Sequence, residues 1–520
     1  VKRHDATRLA AALFCAAAVA VPFLAVSIPP IADLPQQSAQ IRLLAEAVGE
    51  GGGELVVQWW HPNKLGYLPL AAGWAVAPPL AAGRVGMLLL GVLWVGAVHG
   101  LARAAGRPAG SAAVASLFFF NHVTYWGFLN FLAGFPVFCL GLVLLHRRGR
   151  RPAAWRELPW TLSVAALLYS AHVLWLAASL LLLAGWGLRH RWRLRSWVLR
   201  LLPFLPFLAL VAVWYPTFTA GGFDSETTWG RSPLGRLHPG WLLNSAFGGL
   251  HGGAETAVAV AVLLWLALGA WPRRRGYESE GDADGEPERR VDGGLLAAGL
   301  FFLLLALVLP GVHQHTIFFA SRWLPVAAAL LVLAVPAPPL RPALRLAFPL
   351  LLVAALSAAT TAAWIGFERA ELAGLHRALD RLTAEGRLLG LDFVRTSERI
   401  RGYPYYHLYA YGQVLRGVDL ARTFADEASS LVVHRDLPRS YPWTPGLDWR
   451  ARKVRRSDVP HFRQILIHGP PEVHRLFSAD PRLRPVTGVE DGAPWRLYRT
   501  QIDRQPSAPE QRSPSLRPQS

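Results

Sequence analysis

VKRHDATRLAAALFCAAAVAVPFLAVSIPPIADLPQQ, residues 1–37, holds a cationic start, an apolar run over 9–28, then Pro29, Pro30 and the acidic Asp33. About 20 apolar residues cover the hydrocarbon core of a bilayer, and a helix satisfies its own backbone hydrogen bonds there, so this run is expected to span. Lys2, Arg3 and Arg8 place its N-terminal end on the cytoplasmic side by the bias of Lys and Arg toward inner loops. Residues from 29 onward then begin an outer loop. A signal peptide has the same opening, but no cleavage motif follows, so the helix is expected to be retained.

The rest of the chain repeats the pattern. Over 520 residues, 52% are hydrophobic and 17% charged, with mean hydropathy +0.28, which excludes an ordinary soluble globule. Further apolar runs lie near 84–102, 111–121, 129–145, 157–171, 173–188, 197–215, 255–271, 294–310, 318–335 and 345–365. Together they predict an all-α polytopic membrane bundle of about eleven transmembrane helices. Alternate loops carry Arg103 and Arg107; Arg147, Arg148, Arg150 and Arg151; Arg189, Arg191, Arg193 and Arg195; Arg273, Arg274 and Arg275; and Arg341 and Arg345. Counting 66–81 as a span would reverse every later loop, so that stretch is expected to be interfacial or re-entrant.

The opposite loops, 29–65, 121–130, around His172, 216–254 and 311–317, form a large outer surface where function tends to sit. Residues 276–292 (GYESEGDADGEPERRVD) and the tail 505–520 lack apolar periodicity and are expected to be a disordered linker and a disordered tail. After the last span come a helical pattern over 367–385 and strand-like runs at 387–393, 430–434, 463–468 and 495–499. The expected organisation is a transmembrane domain over 1–365, a small extracytoplasmic α/β domain over 366–504, and the tail.

The formal charge of +19 falls mostly in short clusters between apolar runs and in the C-terminal region, so topology accounts for it without nucleic acid. Cys15 and Cys139 each sit in an apolar run, which excludes a disulfide framework and a cysteine zinc site. No phosphate-binding glycine loop is present, which disfavours an ATP-driven pump.

Asp33 is the first acidic residue outside the first span. A partly desolvated carboxylate there can act as a general base toward a hydroxyl; the alternative is a solvated aspartate capping the next helix. His172 follows Tyr169 and Ser170 at an outer boundary, where a polar side chain needs a cavity or a partner. His313, His315 and Arg322 could hold a lipid phosphate, since a guanidinium matches phosphate oxygens with a bidentate fork. The His313/His315 pair alone is weak evidence for a metal, and no metal or other cofactor is expected. Asn121, His122, Tyr125, Trp126 and Asn130 make the second outer loop polar and aromatic. In the C-terminal region, Tyr403, Pro404, Tyr405, Tyr406 and His407, and the run Arg450, Arg452, Lys453, Arg455 and Arg456, are expected to touch acidic headgroups or glycans.

The cationic start, the early aspartate in a DLP context, the amphipathic stretch, the many-helix bundle and the run NHVTYWGFLNFLAGFPVFCLGL from Asn121 to Leu142 resemble GT-C class glycosyltransferases and bacterial multipass proteins of the same layout. The resemblance covers about the first 365 residues in architecture and implies transfer of a hexosyl or pentosyl group. The donor would be a polyprenyl-phosphate sugar, and the acceptor a glycan, lipid or protein at the outer face of a bacterial plasma membrane. It also implies Asp33 as base; His172, His313, His315, Arg322, Asn121 and His122 are expected as substrate-binding residues from their place at the outer surface. The family's second acidic residue is absent from 121–130, which puts two-carboxylate and metal-assisted versions in doubt. Two rival expectations are a lipid-linked glycan flippase or secondary transporter, which would need mid-membrane charges, and a non-catalytic envelope-assembly protein.

Overall fold

The structure, a computed structural model, describes residues 2–49, 53–149, 151–219, 226–271, 290–314, 316–487 and 492–501. Most of the expected linker, His315 and the tail lie outside the described residues. The chain divides into two compact units: 1–371 with 395–415 and 423–439, and 372–394 with 416–422 and 440–520. A single boundary at 365/366 therefore does not describe the C-terminal region, because two stretches of it fold with the helices.

In the first unit every predicted apolar run is helical over part of its length, and it is a multi-pass membrane protein by composition and helix length. Five helices are long and apolar enough to cross alone: Asp5–Ala25, Pro79–Ala104, Leu129–Arg148, Leu194–Thr219 and Pro342–Glu371. Five further helices are apolar but shorter, Tyr67–Val76, Val173–Arg189, Ala254–Ala270, Gly293–Val308 and Trp323–Ala334, so the described residues do not confirm the expected count of about eleven. The shortfall arises where polar residues and prolines end helices early. Leu158–Ala171 stops at His172, whose ring then caps Val173–Arg189, and 111–121 splits into Ala109–Ser116 and a 3₁₀ turn, Leu117–Phe119. The interfacial stretch forms the ten-residue helix Tyr67–Val76, packed on Pro79–Ala104.

Aromatic packing joins these helices. Trp175 lies 5.1 Å from Phe131, 5.1 Å from Phe138 and 5.3 Å from Trp323, ring centre to ring centre. Its indole N–H donates to the Phe131 carbonyl at 2.8 Å, so the buried polar tip is satisfied. Gly134 makes room for it: a Cβ there would stand 2.0 Å from Trp175 Cδ1. At the C-terminal end of Trp323–Ala334, the buried Arg107 guanidinium donates to the Leu333 carbonyl at 2.7 Å and also to the Ala334 carbonyl. A cation there supplies hydrogen bonds that the helix end lacks and opposes its dipole.

The second unit is built on a five-stranded sheet in the order Asp419–Leu420, Arg387–Asp392, Gln464–His468, Trp495–Thr500, Leu483–Pro485; the first three strands are parallel and the last two pair antiparallel. Leu389, Leu391, Ile465 and Ile467 alternate onto one face with Trp443, Phe462 and Tyr498, while Leu388, Leu466 and Leu497 are buried on the other, as a sheet covered on both sides requires. The run near 430–434 is a strand as predicted, Val432–His434, but it pairs with Leu55–Val57 in the first unit.

Candidate active site

Asp33 is held by its backbone. Past the first helix, Ser27 N–H and Ile28 N–H donate to the Glu368 carboxylate at 2.9 and 3.1 Å. Ala32 and Asp33 N–H then donate to the carbonyls of Tyr125 and Trp126 at 2.9 and 3.1 Å. Gly127, at φ +81°, ends the short helix His122–Trp126 with its α-carbon against Ile31 and Asp33; a larger residue there would be strained and would crowd the aspartate. The two stretches on which the family resemblance rests are thus one structural junction.

The Asp33 side chain is 14% exposed, and its Oδ1 stands 3.3 Å from Nδ1 of His407. Its carboxylate is within electrostatic reach of Arg322 and Tyr67, and both of these line a cavity of about 510 Å³. Asp33 itself is not part of the cavity wall; Gln37, one turn further along its helix, is.

The cavity is amphiphilic. Leu208, Val211, Trp214 and Phe218 of the helix Leu205–Thr219 supply an apolar wall, and Gln37, Asn130, His172, His313, Arg322 and Glu427 a polar one. All five outer loops expected from the sequence contribute to its lining, joined by 424–430. Arg322 is 6% exposed; its Nε and Nη2 donate to the Ile317 carbonyl at 3.1 and 2.7 Å, and its guanidinium carbon lies 4.0 Å from the centre of the Phe128 ring. Stacking and the carbonyl fix its direction, which suits a phosphate clamp. His172 accepts from Leu174 N–H through Nδ1 at 3.2 Å, and His313 Nδ1 lies 3.0 Å from the Thr227 hydroxyl.

Asn121 and His122 have other duties. Asn121 Oδ1 accepts from Val123 and Thr124 N–H at 2.8 and 3.2 Å, capping the helix that carries Trp126. His122 is 5% exposed and engaged on both ring nitrogens, at 2.7 Å with the Ser245 carbonyl and 3.1 Å with the Ser321 hydroxyl. Neither lines this cavity; Asn121 caps the helix that joins the Asp33 junction, and His122 bridges Ser245 and Ser321.

Comparison with known proteins adds the fold. No family model matches the chain, and no curated protein matches its sequence. Among solved structures it is similar to ArnT from Cupriavidus metallidurans in the apo state, with a TM-score of 0.51 and 13% identity over 94% of this chain and 97% of that one. The chain has an ArnT-like fold. The structure of ArnT from the same organism bound to undecaprenyl phosphate matches at a TM-score of 0.48 and 14% identity, with the same coverage.

Two groups that sequence reasoning missed stand beside the cavity and Asp33. Lys64 donates from Nζ to the Ser429 carbonyl at 2.6 Å, between the cavity residues Asn63 and Ser429. Burial pulls its ammonium down to about 7 from the ordinary lysine range. His407 lies in the tyrosine-rich cluster assigned from sequence to the C-terminal domain, yet it belongs to the first unit. A lone lysine in an outer loop and a histidine 374 positions from Asp33 carry no sequence signal of their meeting.

Proposed function

We propose that this protein is a membrane glycosyltransferase that moves a hexosyl or pentosyl group from a polyprenyl-phosphate donor to an acceptor at the outer face of the membrane, with the C-terminal region extracytoplasmic. The observation that carries the reading is a mostly buried carboxylate, Asp33, beside an amphiphilic cavity whose apolar wall suits a prenyl chain and whose Arg322 suits a phosphate. The ArnT-like fold supports the architecture.

In this reading the acceptor oxygen attacks the anomeric carbon as the bond from that carbon to the phosphate oxygen breaks. Asp33 takes the acceptor proton. The electron pair leaves with the polyprenyl phosphate, whose charge Arg322 and protonated Lys64 stabilise. His172 and His313 line the polar wall where the sugar and phosphate meet.

The test is transfer from a panel of radiolabelled polyprenyl-phosphate sugars by the full chain in lipid, comparing wild type with Asp33→Asn. Transfer by wild type, with a loss of ~10²-fold or more in kcat for the variant and unchanged donor binding, is expected. No transfer from any donor overturns the enzyme reading, and an equally active variant removes Asp33 from it.

A further inference from the structure

His407, like Phe318 beside Trp126, takes a left-handed backbone in the neighbourhood of Asp33. It has φ +67°, a region that non-glycine residues enter only when their surroundings enforce it, and such outliers gather at functional sites. Here successive turns enforce it: Tyr406 N–H donates to the Tyr403 carbonyl at 3.1 Å, Leu408 N–H to Tyr405 at 3.2 Å and Ala410 N–H to His407 at 2.8 Å.

The ring is held as firmly. It lies against Tyr406, with centres 3.6 Å apart, and meets Phe424 edge-on at 5.3 Å and Tyr409 at 6.2 Å. Tyr406 in turn packs with Ala32 and Trp126, whose backbones belong to the junction that holds Asp33. His407 is 4% exposed, and Asp33 Oδ1 lies 3.3 Å from its buried Nδ1. Phe424, on the other side of the ring, lines the cavity.

We propose that His407 is a positioning residue for Asp33. As the ring stands, Nδ1 has no aligned hydrogen-bond partner and Oδ1 lies 3.3 Å away; a small tilt on substrate binding aligns Nδ1–H with Oδ1, selects one carboxylate rotamer and leaves Oδ2 to take the acceptor proton. The strained turn sets the imidazole where a relaxed backbone would not deliver it. The proposal rests on the reading of Asp33 as the base.

Asparagine and glycine separate side chain from backbone at position 407, because both adopt positive φ and only asparagine offers an N–H near the place of Nδ1. In the full chain in lipid nanodiscs, His407→Gly is expected to lower kcat by ~10- to 100-fold, as loss of an orienting partner does, with donor affinity unchanged; His407→Asn should recover most of that loss. Thermal unfolding of Asp33→Asn, His407→Gly and the double variant should give non-additive shifts in Tm, as contacting residues do. Wild-type kcat in His407→Gly, equal losses in the glycine and asparagine variants, or additive Tm shifts would each overturn the proposal. A wild-type chain that transfers no sugar overturns the transferase reading and this role with it, and is told apart because only then is every variant comparison silent in transfer.

Discussion

The histidine–aspartate pair Asp392–His468 of the second unit and the pair Asp33–His407 of the first are made in opposite ways. Asp392 and His468 end adjacent parallel strands in direct register, with Nδ1 to Oδ1 at 2.9 Å. His468 pairs across the sheet with Trp495 and stacks on it at 4.3 Å, 5° from parallel. Asp33 and His407 are 374 positions apart, sit on turns, and need a left-handed residue to meet. The first pair is a by-product of regular strand geometry and ties the ends of two interior strands together. The second is paid for in backbone strain and sits beside a cavity, the pattern expected where chemistry rather than folding selects the residues.

The comparison can be broken by substitution. Asp33→Asn should lower transfer by ~10²-fold or more with Tm little changed. Asp392→Asn should do the reverse: it disturbs a largely buried charged hydrogen bond worth about 1.5–3 kcal/mol, so Tm should fall while kcat and donor KM hold. A loss of transfer in Asp392→Asn at unchanged Tm would place chemistry in the second unit as well. Both are read by transfer assay and calorimetry on the same preparation.

Arg322 sharpens the cavity side of the contrast. Arg322→Lys keeps a charge but loses the planar fork, and donor KM should rise ~10-fold with a smaller change in kcat. Titration of lipid-phosphate binding by fluorescence quenching provides the check, and unchanged affinity removes Arg322 from the phosphate site.

Lys64 makes the same contrast visible in pH. With its ammonium pulled down to about 7, the side chain is charged below that pH and neutral above it. Affinity for polyprenyl phosphate should therefore fall several-fold as pH rises through about 7. Lys64→Met should bind more weakly at low pH and lose that step. A step that persists in the variant assigns it to another group.

The smallest effect belongs to the second unit. The Arg482 guanidinium holds the Asp480 carboxyl down to about 2. A depressed carboxylate stabilises the fold fully above its unfolded value of about 4 and ceases to do so as pH falls through about 2. Between those limits wild-type Tm should drop slightly more than that of Asp480→Asn, with transfer unaffected by the substitution; parallel Tm curves would refute the contribution.

Much of the architecture was legible because it follows from local rules. Apolar runs placed the membrane helices but not Leu34–Gly49, Pro239–Ala246 or Pro471–Ser478, strand-like runs placed Arg387–Asp392, Gln464–His468 and Trp495–Thr500, and the aspartate after the first apolar run singled out Asp33. Helix length was less legible: His172 and Asn121, read as ligands, also end or begin helices, and hydropathy does not register a cap.

The amino-acid sequence alone therefore determined membrane class, the apolar segments that become helix, the main strands of the C-terminal sheet, and the residue types available at the outer surface, since hydrophobic burial and backbone hydrogen bonding act over a few residues at a time. Only the tertiary structure decided that Val432–His434 pairs with Leu55–Val57, that Lys64 reaches Ser429, and that His407 faces Asp33. Those meetings depend on how distant segments return to one place, which no local pattern encodes.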